Sequence, residues 1–203
     1  MSVNSLPMRP LRSAFATLLL LAVSSGASIR PAASQQDSAG GNSAGPEVTP
    51  RGQRTANDIR YGEWRKLCFT AGGAKPLCRT SITGSFPTGQ VAVRLDLIER
   101  EGEPTARLQL FVPVGLYLRV LVKLKVDEGR AYQVPYSWCL TNTCIAADAA
   151  DPNIVTEMEV GKTLALEVVD SSLLAVTTSL PLSHFAAIHN SAPAERLNQD
   201  IDE

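Results

Sequence analysis

The chain of 203 residues carries two histidines and four cysteines, and only 5% of it is aromatic. It lacks the common catalytic patterns. There is no Gly-x-Ser-x-Gly turn to expose a nucleophilic serine and no glycine-rich loop ending in Lys and Ser/Thr to cradle phosphate. His184 and His189 are five residues apart and so do not share a helix face as paired metal ligands would. Without a Cys-x-x-Cys pair there is no thiol-exchange motif. Asp96, Glu99, Glu157 and Glu167 fall on outward positions of expected strands or helices, where carboxylates serve solubility. A hydrolase with an unrecognised site is therefore the weakest of the functional readings, since catalytic groups need positioned partners.

Long apolar runs are absent as well. The longest, from Ala14 to Val23, falls well short of the roughly 20 residues that span a bilayer. It follows Arg9 and Arg12 with no acid among the first 27 residues, and it precedes the small residues Ser24-Ser25-Gly26-Ala27. Those three regions make residues 1–27 an expected cleaved secretory signal, so the mature chain would have no transmembrane segment and would reside in the periplasm or at the outer membrane. No cysteine lies near the expected cleavage site, which argues against lipid anchoring. The formal charge of the whole chain is −1, and loss of the signal makes it more acidic. A nucleic-acid partner, which wants a strongly basic domain, is not expected. Arg107, Arg119, Lys123, Lys125 and Arg130 do fall within one stretch, and are read first as a solvated strand face and second as an anion-binding patch.

Residues 28–57 are rich in Ser, Gly, Ala, Pro and Gln and contain no aromatic residue. They cannot bury enough apolar surface to offset chain entropy and are expected to form a disordered linker. Residues 191–203, with four acids against Arg196, are expected to be an acidic flexible tail. This leaves 58–190 as one domain, a size that a single core stabilises.

Within that domain apolar residues alternate with a period of two: Val91, Val93, Leu95, Leu97; Leu108, Leu110, Val112; Leu118 to Val126; Leu164, Leu166, Val168. Half-buried strands produce that pattern. Further strands are expected at Tyr61–Thr70, Leu77–Thr83, Ala131–Leu140 and Ala175–Leu180. Asp151-Pro152 and Gly161 bracket an expected short helix over Pro152–Val160, and a second is expected from Ser183 as cap through Ile188. The fold class is all-β: an antiparallel β-sandwich, immunoglobulin-like or related, with one or two short helices. A barrel is the alternative, because alternation does not report closure.

Four cysteines allow three connectivities. Cys68 with Cys78 and Cys139 with Cys144 is favoured, since each pair can meet across a hairpin and two such disulfides suit an exported domain. Nine and four intervening residues fit staples better than a zinc knuckle, so neither a metal nor a cofactor is expected. Trp64 and Trp138, each near a cysteine, are expected to pack in the core against the disulfides, with an exposed interface aromatic as the alternative. The apolar turn containing Pro113, Gly115, Leu116 and Tyr117 is the candidate contact loop.

Several segments, in order, resemble the invasion-associated locus B family of Gram-negative bacteria: Tyr61-Gly62-Glu63-Trp64 with Cys68 and Leu77-Cys78; Phe111-Val112-Pro113-Val114-Gly115-Leu116-Tyr117-Leu118; Leu124-Lys125-Val126-Asp127; Val134-Pro135-Tyr136-Ser137-Trp138-Cys139 with Cys144; and Gly161-Lys162-Thr163-Leu164. The resemblance implies an exported β-sandwich of the periplasm or outer envelope, associated by family name with invasion of host cells, with no known enzymatic activity and no cofactor. The chain departs from the family pattern at Asn142-Thr143, where a glycine before the last cysteine is usual, and at Arg119-Val120-Leu121, which replaces Pro-x-Gly. The leading expectation is a non-enzymatic envelope protein acting on a protein or envelope-surface partner. The alternative is a periplasmic small-ligand or lipid-binding module, using the space between the sheets or the loop at Pro113–Leu118.

Overall fold

The computed structural model describes residues 48–199. In chain order the elements are β1 (Gly52–Thr55), β2 (Arg60–Tyr61), β3 (Arg65–Ala71), β4 (Leu77–Ser85), β5 (Val91–Arg100), β6 (Arg107–Pro113), β7 (Val122–Val126), β8 (Ala131–Val134), β9 (Tyr136–Cys139), β10 (Thr143–Ala149), α1 (Pro152–Val160), β11 (Thr163–Val169), β12 (Leu174–Pro181), α2 (Phe185–His189) and β13 (Glu195–Gln199). They form two sheets. The smaller runs β1-β12-β11-β7-β8, and the larger runs β13-β3-β4-β5-β6-β10-β9 with β2 added beside β4.

Among the described residues both sheets have free ends, which is a sandwich-like arrangement and not a closed barrel. Antiparallel ladders join all neighbours except at two edges, where β1 pairs with β12 and β13 with β3 in parallel. Inward positions build one core: Ile82, Leu95, Leu97 and Leu110 from the larger sheet meet Val122, Leu124, Leu164, Leu166 and Leu180 from the smaller. Helix α1 adds Ile154 and Met158, and α2 adds Phe185, which is 0% exposed. Full burial of a ring of that size contributes about 3 kcal/mol. Trp64 packs edge-on against it at 4.7 Å and donates its indole N–H to the Pro181 carbonyl at 2.9 Å.

Four differences from the sequence reading have physical causes. The span Ala131–Leu140 is two strands, not one, because Pro135 has no N–H to give a ladder; β8 pairs with β7 in the smaller sheet and β9 with β10 in the larger. The alternation from Leu118 to Val126 is strand only from Val122; Leu118 is exposed and residues 114–121 form a loop. Strand β10 shows no alternation in sequence because Cys144, Ile145, Ala146 and Ala147 are all buried, on both faces of the sheet. Ser183 does not cap α2; His184 stands there with φ 67° and no side-chain cap bond.

The boundaries also move. Residues 52–55, expected in the linker, form β1, and residues 195–199, expected in the flexible tail, form β13. Both are edge strands held by main-chain pairing, which composition does not report. The expected signal at 1–27 and most of the expected linker lie outside the described residues.

The disulfides Cys68–Cys78 and Cys139–Cys144 each join residues directly opposite in an antiparallel pair, β3 with β4 and β10 with β9. Trp64 is buried as expected, but against Phe185. Trp138 is 49% exposed, the opposite of the core position expected for it: its register with Ile145 puts it on the outer face of the larger sheet, and β9 is an edge strand with no further strand to cover it among the described residues.

Candidate binding cleft between the sheets

A cleft of about 440 Å³ opens between the sheets near the loop that follows β6. Its floor is made of inward positions on four strands: Val93 of β5, Val112 of β6, Leu166 and Val168 of β11, and Val176 of β12. Alternation along each strand delivers these side chains, so the floor is apolar for the same reason that the core is. Polar groups stand around them: Arg54, Asp58, Asp170 and Ser171.

One wall is the loop singled out in the sequence. Gly115 has φ +87°, a backbone conformation that favours glycine, and its carbonyl accepts from the Ser171 N–H at 2.9 Å. Tyr117 N–H donates to the Val169 carbonyl at 2.8 Å, so the loop is clamped to the β11–β12 turn. Asp170 stabilises that turn from within, its Oδ1 accepting from Ser172 N–H at 2.9 Å and Leu174 N–H at 3.0 Å. Of the candidate contact residues, Pro113, Gly115 and Leu116 line the cleft and Tyr117 does not.

Tyr61 and Thr178 share a hydrogen bond of 2.7 Å between their hydroxyls, and Thr178 lines the cleft. Burial pushes the Tyr61 phenol above its ordinary range, so at neutral pH it is uncharged and acts as a hydrogen-bond donor or acceptor. Room for Tyr61 and Ile59 comes from Gly84: a Cβ there would stand 2.6 Å from the Tyr61 ring and 2.7 Å from Ile59. Arg54 and Asp58 have no ion-pair partner among the described residues, which leaves a cation and an anion free beside an apolar floor.

The other sequence candidates lie elsewhere. Neither histidine lines this cleft, and among the described residues no group of three or more His, Cys, Asp and Glu side chains is placed to hold a metal ion. The basic stretch from Arg107 to Arg130 does not converge: Lys123 pairs with Glu167 at 3.1 Å, Lys125 with Glu128 at 2.9 Å and Arg130 with Asp151, while Arg107 belongs to the other sheet. Residues Arg54, Asp58 and Ile59 were missed because they sit in or beside a span whose composition reads as linker.

Residues 64–193 match the family model described as the invasion associated locus B (IalB) protein. The chain belongs to the IalB family. Among solved structures it is similar to invasion associated protein B from Bartonella henselae, with a TM-score of 0.57 and 23% identity over 64% of this chain and 90% of that one. At that identity the likeness establishes the shared fold. A search of curated proteins finds no match. The IalB match begins at Trp64, so Arg54, Ala56, Asp58 and Ile59 of the cleft lie ahead of it.

Proposed function

We propose that this IalB-family chain is an exported protein of the periplasm or outer membrane that acts by binding, without catalysis, and that the cleft between its sheets takes a small amphipathic ligand. The observation that carries the reading is the cleft itself: about 440 Å³, within the range of small-molecule sites, with an apolar floor and a few polar groups beside it. Export is supported by the signal-like segment at residues 1–27 and by two disulfides, which persist in oxidising compartments.

The test uses a fluorescent long-chain acyl probe and the variant Val176→Trp, which fills the cleft from a half-buried position. The probe binds the parent chain in the micromolar range and binds the variant at least about tenfold more weakly, while the melting temperature is unchanged. Equal binding by both proteins, or none by the parent, removes the reading.

A second reading, contact with host cells or another surface, is what the family name suggests. Trp138 and Leu140, 49% and 56% exposed on either side of Cys139, favour it. A strain lacking the gene enters cultured host cells less efficiently on this reading, and unchanged entry counts against it.

A further inference from the structure

The outer face of the larger sheet gathers arginines that are scattered in sequence. Residues directly opposite in antiparallel pairs share a face. Thr83, Arg94, Phe111, Ile145 and Trp138 form one such cross-strand row over β4, β5, β6, β10 and β9. The next rows contain Arg65 beside Ser81 and Asp96, and then Arg79 beside Ile98 and Arg107. Arg100 lies opposite Leu77 on the same face.

Five arginines thus face outward, against the strand carboxylates Asp96 and Glu195. Asp96 is 1% exposed and already engaged, with Arg94 Nη2 at 2.6 Å and Arg79 Nε at 4.0 Å. Arg100 is held by Glu103 at 3.1 Å. Arg65 and Arg107 are exposed and have no ion-pair partner among the described residues. The Arg79 Nε, although buried, has no hydrogen-bond acceptor among them. Two of the guanidinium groups rest on rings, Arg94 over Phe111 at 4.2 Å and Arg79 over Phe69 at 5.3 Å. Stacking holds both guanidinium planes in place, and Arg94 already directs its Nε and Nη2 at Asp96, so the cations left for an incoming carboxylate or sulfate are first those of Arg65 and Arg107.

We propose that this face binds an acidic polysaccharide, a chain bearing carboxylate or sulfate groups that lies across the strands with a sugar ring against Trp138. Charge complementarity selects an anionic partner. The shape of the face selects an extended chain: from β3 to β9 it crosses six strands, roughly 24 Å at the usual strand spacing. A membrane surface fits less well, because the exposed apolar side chains are divided between opposite edges of the sheet, Trp138 with Leu140 beside β9 and Leu197 on β13, with the arginines between them. The whole-chain charge of −1 conceals the face because sign is local. The proposal does not depend on the cleft.

The test measures binding of the oxidised chain to heparin and to polygalacturonate, with neutral dextran and phosphatidylglycerol vesicles as comparisons. Both acidic polysaccharides bind in low salt, and binding weakens as salt rises. Arg65→Ser with Arg107→Ser weakens it at least about tenfold, the effect of removing two surface cation contacts. Trp138→Ser weakens it separately, and Lys123→Ser with Lys125→Ser, on the opposite sheet, leaves it unchanged; melting curves confirm that each variant is folded. The proposal is overturned by absence of binding, by equal losses in the two double variants, or by vesicle binding that exceeds polysaccharide binding.

Discussion

The His189 Nδ1 lies 2.9 Å from Glu159 Oε1, tying the end of α2 to α1. Its Nε2 lies 3.1 Å from Glu99 Oε1 on β5, so one imidazole joins both helices to the larger sheet. The ring is 10% exposed and stacks on Phe185 at 5.2 Å.

His189→Ala therefore removes the ring's contacts with Glu159 and Glu99 and a stacking partner for Phe185. A loss of about 2 kcal/mol is expected in urea denaturation, with His189→Gln recovering part of it. Glu159 adds an acid limb: hydrogen bonds from Asn190 and then His189 hold its carboxyl below the ordinary range. Its stabilisation is present above the unfolded-state value and is lost as pH falls through the lower folded-state value. A variant as stable as the parent at neutral pH refutes this role.

Asp127 acts on the same principle at the turn after β7. Its carboxylate accepts from the backbone N–H of Lys162, at 3.0 Å, and of Thr163, at 2.9 Å, and these bonds lower its pKa. The residue is at φ 45°, a conformation that Asp tolerates better than most. Asp127→Ala is expected to lower the melting temperature near neutral pH and to flatten the loss of stability below the ordinary carboxylate range. Melting curves recorded from pH 7 to about pH 2.5, spanning the Asp reference value, give both readings; parallel acid limbs in parent and variant would count against the assignment.

Gly161 is needed for space and not for its φ, which is −76°. A Cβ there would meet Val126 Cγ1 in hard contact, the Glu157 carbonyl at 2.9 Å and Leu182 Cδ1 at 3.2 Å. Gly161→Ala should cost about 1–3 kcal/mol through overpacking between α1 and β11. Chemical denaturation measures it, and a neutral result would show that the segment yields.

The disulfides close loops of different size, with sequence separations of 10 and 5. In the chain-entropy picture each stabilises the fold by about 2–3 kcal/mol, Cys68–Cys78 by the larger amount. Paired alanine replacements, compared by urea midpoint, test both the size and the order; a larger loss at Cys139–Cys144 would show that native-state contacts outweigh loop entropy.

How much of this was legible in the sequence differs from element to element. Leu95, Leu97, Leu108 and Leu110 alternate with outward residues, and each became an inward core position. Helix α1 was readable at both ends from Asp151-Pro152 and Gly161, and Asp151 accepts from Asn153 N–H at 2.9 Å as a cap should. Strand β10 was not legible, because burial of both faces erases the two-residue period. The edge strands β1 and β13 were hidden for another reason: main-chain pairing at an edge needs no apolar side chain. Half of the cleft followed the same division. Pro113, Gly115 and Leu116 stood out as an apolar turn, whereas Arg54 and Asp58 looked like linker.

The strand-rich class, the likeness to the IalB family and the favoured cysteine pairs can be read from the residues alone, because all three are encoded locally, in alternation, ordered motifs and short loops. Which strands share a sheet, the outward position of Trp138 and the places where charge accumulates depend on the packed fold. Lys123, Lys125 and Arg130, close in sequence, are each paired with acids. Arg65, Arg79, Arg94 and Arg107, far apart in sequence, share one face because register places alternate residues of adjacent strands on the same side of the sheet.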